Sequence, residues 1–197
     1  MNLLAHSYLS FDHPQILVGN MISDFVKGRK KFDYPENIQK GITLHRLIDS
    51  FTDEHEATRE AKKFLKPAVG LYAGAFVDVV YDHFLAKDEN EFTDVSLQSH
   101  ATKSYRQLFG QAAFMPERFR VMLPYMQSQN WLYNYKNTAG IESSFGGVVR
   151  RASYLTSSTA VFQLFLQHYA SLQICYNAFF PFVKAYARDQ FEEMTNL

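Results

Sequence analysis

Along most of the chain, apolar residues recur every three to four positions, and strands with alternating Val, Ile and Thr are hard to find. The pattern predicts an all-α architecture. The first predicted helix runs from Pro14 to Val26, with Asp12 as its cap and Gly28 as its stop, and a second opens at Pro35 and carries Ile38, Ile42 and Ile48. Asp53 and Glu56 have the spacing of a capping pair for a short helix bearing Ala57, Ala61 and Leu65 and ending before Pro67. A longer helix from Leu71 to Leu85 places Phe76, Val80 and Phe84 on one stripe, and further helices are expected over Leu97–Phe109, Pro116–Tyr135, Glu142–Ala152 and Ala160–Tyr186. No Gly/Ser-rich linker, repeat or low-complexity tract interrupts the pattern, so residues 1–197 are expected to form a single domain.

Polar residues inside these apolar helices turn the question to chemistry. His45 and Asp49 are four positions apart, which sets both side chains on one helical face where they can share a cation. Asp78 and Asp82 repeat that spacing, His83 follows directly, and Asp24 lies between Ile22 and Phe25. Carboxylates on apolar helices are costly to bury unless paired or metal-bound, so several of them point to a common polar centre holding a divalent cation. Imidazole and carboxylate together suit Mn, Fe or Zn, whereas Mg prefers oxygen alone. A cation held this way lowers the pKa of bound water and neutralises charge on a phosphoryl oxygen.

Each piece also has a plainer reading. A lone His/Asp pair at helical spacing is more often a surface ion pair or a satisfied core contact than a pair of ligands, and Asp78 can cap or pair without touching metal. Asp12, His13 and His55 read as solvated, and His100 and His168 as exposed helical residues. Tyr125, Tyr133 and Tyr135 around Trp131 read first as packing, because aromatic rings bury large areas wherever they occur.

Charge and cysteine content narrow the partners. The 197 residues include 20 basic and 20 acidic side chains, which excludes a nucleic acid or membrane held by bulk positive charge. An anionic partner must then meet a local patch, and Arg29-Lys30-Lys31, by default a solvated loop, is one candidate. The single cysteine, Cys175, cannot form an internal disulfide, which suits a reducing cytoplasm. Met1 to His6 lacks the basic and apolar regions of an export signal. The apolar run from Ile174 to Val183 is interrupted by Asn177 and Pro181 and falls short of the ~20 residues that span a bilayer, so no membrane insertion is expected.

Taken in order, Asn2-Leu3-Leu4-Ala5-His6, Gly19-Asn20-Met21-Ile22-Ser23-Asp24-Phe25-Val26-Lys27-Gly28, Gly41-Ile42-Thr43-Leu44-His45-Arg46-Leu47-Ile48-Asp49 with Thr52-Asp53, and Asp78-Val79-Val80-Tyr81-Asp82-His83-Phe84-Leu85 resemble the acyl carrier protein phosphodiesterases, also called holo-acyl-carrier-protein hydrolases. Weaker echoes continue in Arg59-Glu60-Ala61, in Gln129-Asn130-Trp131-Leu132, and in Gly146 with Arg150-Arg151. The resemblance implies an all-helical fold distorted from the HD-domain phosphohydrolases. It also implies a Mn-dependent hydrolysis that removes the 4′-phosphopantetheine arm from holo-acyl carrier protein, a small acidic helical protein. The chain has no adjacent His-Asp pair, the nearest approach being the reversed Asp82-His83, so ligand roles do not transfer directly from HD enzymes.

The positions that match the family are His6, Asp24, His45, Asp49, Asp82 and His83. On this reading Asp24, His45, Asp82 and His83 hold the metal, while His6, Asp24 and His83 take part in catalysis, with His6 or His83 as general acid. Asp49 and Asp78 support the ligands, and Arg46 and Arg150 clamp phosphate. Arg29, Lys30 and Lys31, with Arg118 and Arg120, meet the carrier protein, and an aromatic groove using Tyr125, Trp131 or Tyr135 holds the arm. Two rival functions stay open at this point: an HD-type phosphohydrolase of a nucleotide or other small phosphodiester, and a non-catalytic helical binding module.

Overall fold

A computed structural model describes residues 1–196. Among the described residues there are eleven α-helices and no strand: α1 (Leu3–Tyr8), α2 (Pro14–Ile22), α3 (Glu36–Glu54), α4 (Glu56–Val69), α5 (Ala73–Lys87), α6 (Asp94–Gly110), α7 (Glu117–Ser128), α8 (Trp131–Asn134), α9 (Thr138–Arg151), α10 (Thr159–Gln167) and α11 (Tyr169–Thr195). The all-α expectation holds. Several boundaries differ, each for a local reason. The side chain of His13, rather than Asp12, caps α2 by accepting from Ile16 N, and the last predicted turn of that helix tightens into a 3-10 turn over Ser23–Phe25. His55 likewise caps α4 in place of Asp53, accepting from Ala57 N, so neither histidine is merely solvated. Helix α4 continues through Pro67, and Gly70 ends it at φ +54°, a conformation that a side chain would strain.

Two long predicted helices are each split. Asn130, left-handed at φ 46°, separates α7 from α8, and His168 separates α10 from α11. Half-buried His100 is not an exposed helical residue, since its Nε2 lies 2.9 Å from Ser7 Oγ.

Helix α5 is buried almost all round, from Phe76 through Ala86 with only Asp78 partly open, so it forms the axis of the fold. Tyr81 stacks on Phe179 of α11 (ring centroids 5.0 Å apart), and Phe76 meets Phe145 of α9 edge-on (4.9 Å). The stretch Glu56–Lys87 is long and apolar enough, by length and composition, to cross a membrane. It is instead two helices that turn at Gly70 and pack on each other.

Helices α2 and α3 pack main chain against main chain. A Cβ on Gly19 would lie 2.1 Å from the Ile38 carbonyl oxygen, and one on Gly41 would lie 2.2 Å from that of Ile16. Only two glycines facing each other allow this approach, and it brings the last turn of α2 against the middle of α3, where His45 sits.

Candidate metal centre

Two helices deliver three side chains to one point. α1 supplies His6, and α3 supplies His45 and Asp49 one turn apart. The ligand atoms of these residues all lie within 4.8 Å of one another. The imidazoles of His6 and His45 stack with centroids 3.9 Å apart and planes 17° from parallel. His6 Nε2 is 3.2 Å from Asp49 Oδ1, and His45 Nε2 is 3.1 Å from Asp49 Oδ2 and 3.4 Å from Asp24 Oδ1. Asp24 reaches in from the 3-10 turn after α2 and keeps 78% of its side chain exposed, at the rim of the cluster.

The far side of each ring is already engaged. His6 Nδ1 is 2.8 Å from the side-chain oxygen of Asn20, and His45 Nδ1 is 2.7 Å from the main-chain oxygen of the same residue. A ring nitrogen facing a carbonyl must donate, so in the neutral ring Nε2 is left as a bare lone pair. With both rings neutral, two such lone pairs and a carboxylate converge, and His6 Nε2, His45 Nε2 and Asp49 Oδ1 are buried without a hydrogen-bond partner. Buried acceptors facing one another are destabilising unless a cation sits among them. The donor set, two imidazole nitrogens and a carboxylate with an open side, fits a transition-metal ion.

Electrostatics carry the same sign. Burial, followed by the charge of His45, lowers the His6 imidazole to about 4. Burial also acts to lower His45, but the Asp24 and Asp49 carboxylates overcome it and raise this ring to about 9, so a proton on Nε2 is the positive charge they hold when no metal does. Burial would lift the Asp49 carboxyl, yet the neighbouring His6 and His45 hold it far below the usual carboxylate range, and the hydrogen bond from His45 lowers Asp24 as well. Both carboxylates stay ionised and aimed at positive charge.

Asp24, His45 and Asp49 line an open cleft of about 610 Å³, with Lys27, Arg46, Ser50, Asp53 and Glu54 on its other walls, while His6 is buried behind that lining. Arg46 is steadied by donating from Nη2 to the Val26 carbonyl at 2.9 Å, and it stays exposed on the cleft. Arg29, Lys30 and Lys31 follow on the adjoining 3-10 turn Gly28–Asp33, whose Phe32 is 60% exposed.

Asp82 and His83 are not brought to this point, although sequence reasoning grouped them with His45. Asp82 is wholly buried and accepts from the main-chain N–H groups of Asn2 (3.1 Å), Leu4 (2.6 Å) and Ala5 (3.3 Å), which ties down the N-terminus of α1. Both ring nitrogens of His83 are also occupied, Nδ1 by the Tyr135 carbonyl (2.7 Å) and Nε2 by the Tyr169 hydroxyl (2.9 Å). That leaves no free proton for a general acid. Asp78 accepts from the Met1 α-amino group at 2.9 Å. Arg150 and the residues proposed for an aromatic groove lie outside the cleft lining, with Tyr135 buried and Tyr125 exposed elsewhere. In the sequence Asn20 stands out only as part of the Gly19–Gly28 motif. An amide has no sequence spacing that reveals which atoms it will hold.

A family model described as acyl carrier protein phosphodiesterase matches residues 1–183. Among similar proteins, the acyl carrier protein phosphodiesterase of Photorhabdus laumondii is 29% identical over 191 residues, covering 96% of each chain. That of Klebsiella pneumoniae is 31% identical over 182 residues, covering 92% of this chain and 94% of the relative. That of Escherichia coli O157:H7 is 30% identical over 188 residues, covering 95% and 97%. No solved structure matches, so the expected kinship with HD-domain enzymes rests on sequence resemblance alone. Matched along nearly its whole length by that family model and by these relatives, the chain belongs to the acyl carrier protein phosphodiesterase family.

Proposed function

We infer that this chain hydrolyses the phosphodiester linking 4′-phosphopantetheine to a serine of holo-acyl carrier protein, releasing apo-acyl carrier protein and 4′-phosphopantetheine. It does so in the cytoplasm as one catalytic domain that depends on manganese. The observation that carries the reading is the convergence of His6 Nε2, His45 Nε2 and the Asp49 carboxylate, with both ring nitrogens and Asp49 Oδ1 buried and unpartnered, beside an open cleft that His45 and Asp49 line. His6, His45 and Asp49 would hold the ion, and Asp24 at the rim is the fourth group within reach. Two nitrogen donors favour Mn over Mg. When bound, the ion supplies Lewis acidity toward a phosphoryl oxygen and makes water a better nucleophile.

The remaining steps belong to the protein. Asp24, held ionised, is an acceptor at Oδ1 for a proton leaving attacking water. Arg46, anchored by Val26, keeps further N–H donors for the phosphate oxygens, and Lys27 adds a second cation on the cleft. Arg29, Lys30 and Lys31, with exposed Phe32 among them, adjoin that wall and offer the carrier a basic surface with an apolar centre.

The test is incubation of holo-acyl carrier protein with the protein and Mn, read by mass spectrometry. Loss of the phosphopantetheine mass, stopped by a chelator, is expected. An unchanged mass from protein that has taken up Mn rejects the reading. In the same assay, Lys30→Glu together with Lys31→Glu should raise KM several-fold and leave kcat unchanged, and an unchanged KM would return this turn to the status of a solvated loop.

A further inference from the structure

We propose that Asn20 is the positioning residue of the metal centre, the single residue that turns both imidazoles so that their Nε2 atoms face the Asp49 carboxylate together. The proposal rests on the metal reading above and adds how the receptor is built.

The orientation of the Asn20 amide is not free. Its Nδ2 donates to the His6 main-chain oxygen at 2.9 Å and to Ser10 Oγ at 3.1 Å. Its Oδ1 therefore faces His6 Nδ1 and can only accept. The main-chain oxygen of the same residue takes the Nδ1 hydrogen of His45. That oxygen lies in the last turn of α2, where carbonyls lose their intrahelical partners and are available to other donors. Asn20 is wholly buried, so water does not compete for either bond.

The consequence is geometric. His6 rides on α1 and His45 on α3, and with separate anchors each ring would follow its own helix. Both anchors leave from one residue on the helix between them, so the stacking of the rings is set within a single amino acid. The Gly19–Gly41 contact, immediately beside Asn20, brings α3 close enough for its carbonyl to reach His45. Outer partners of metal-binding histidines typically fix tautomer and direction in this way, and losing one weakens metal affinity by about 10- to 100-fold.

The two anchors are unequal in kind, which makes the proposal sharp. Truncating the side chain removes the anchor of His6 and leaves that of His45, which is main chain. In metal-free protein, nitrogen-15 imidazole spectra should show wild-type His6 as the Nδ1–H tautomer. In Asn20→Ala, His6 alone should lose that state, and Mn affinity measured by calorimetry should fall about 10- to 100-fold. Asn20→Asp keeps an acceptor toward His6 Nδ1 but sets its second oxygen against the His6 carbonyl, so it should restore the Nδ1–H tautomer of His6 and only part of the affinity.

Wild-type His6 in the Nε2–H tautomer, Asn20→Ala binding Mn as tightly as wild type, or Asn20→Asp without the Nδ1–H tautomer of His6 would each overturn the proposal. If Asn20→Ala does not fold, the His6 tautomers of wild type and Asn20→Asp decide. Mn uptake with the wrong tautomer removes this proposal alone. The right tautomer with no Mn uptake removes the metal reading and the proposal with it.

Discussion

Two histidine–aspartate pairs sit on neighbouring parts of the fold and behave in opposite ways. On α3, buried His45 faces half-exposed Asp49, and on α5, buried His83 follows buried Asp82. Burial acts to lower both imidazoles. His83, with no carboxylate partner, falls to about 4, while Asp24 and Asp49 raise His45 to about 9. On α5 the oxygens of Asp82 and both nitrogens of His83 are bonded within the protein. On α3 the inward nitrogen of His45 and one oxygen of Asp49 are not. Residue type therefore does not separate a structural pair from a reactive one. What separates them is hydrogen-bonding capacity left uncommitted beside an open cleft.

Mutation of each pair should give opposite signatures. The largest effect is expected from Asp49→Ala, which should abolish Mn binding by calorimetry and turnover of holo-acyl carrier protein. The melting temperature should fall far less than in a variant of buried Asp82, because half-exposed Asp49 leaves no main-chain donor stranded when it is removed. Retained Mn binding would place the ion elsewhere. Next comes Asp82→Ala, which strands three main-chain N–H groups at the start of α1 and should lower unfolding free energy by about 3–5 kcal/mol in urea. A variant as stable as wild type would mean that the comparison has been drawn wrongly.

The smallest effect is a pH dependence at His83. Because its folded pKa lies below the ordinary 6.5, the stability it contributes is whole above pH 6.5 and is lost as pH falls toward 4. That loss amounts to at most roughly 3 kcal/mol for this group. Its ring protons should keep the neutral imidazole chemical shift in proton NMR down to about pH 5. Titration near 6.5 would show that the ring is not sealed in the core.

Most of the helices were legible because their apolar stripes are long enough to show a 3.6-residue period. Helix α1 was not, since Leu3–Tyr8 is too short to display one, and its start is held by Asp82 from nearly 80 positions away. The breaks at Asn130 and His168 carry no glycine or proline to announce them. Within the site, His45 and Asp49 were legible from spacing on one helix. Their separation from Asp82 and His83 was not, because it depends on which remote groups each side chain meets: the amides of Asn2, Leu4 and Ala5 for one, the Tyr135 carbonyl for the other. Asp49 changed role from supporting carboxylate to candidate ligand because His6, quoted only for its place in a family pattern, arrives on the other side of it.

The glycine crossing of α2 and α3 bears on how this centre can evolve. With no side chain between Gly19 and Gly41, the spacing there is set by main chain against main chain, which has no rotamer to adjust and no methyl group to trade. Substitutions elsewhere in the core can drift in size without resetting that distance. The exposed residues of the cleft, Lys27 and Arg46 among them, are free of that constraint, so lineages can change what the cleft accepts while inheriting the receptor for the ion unaltered.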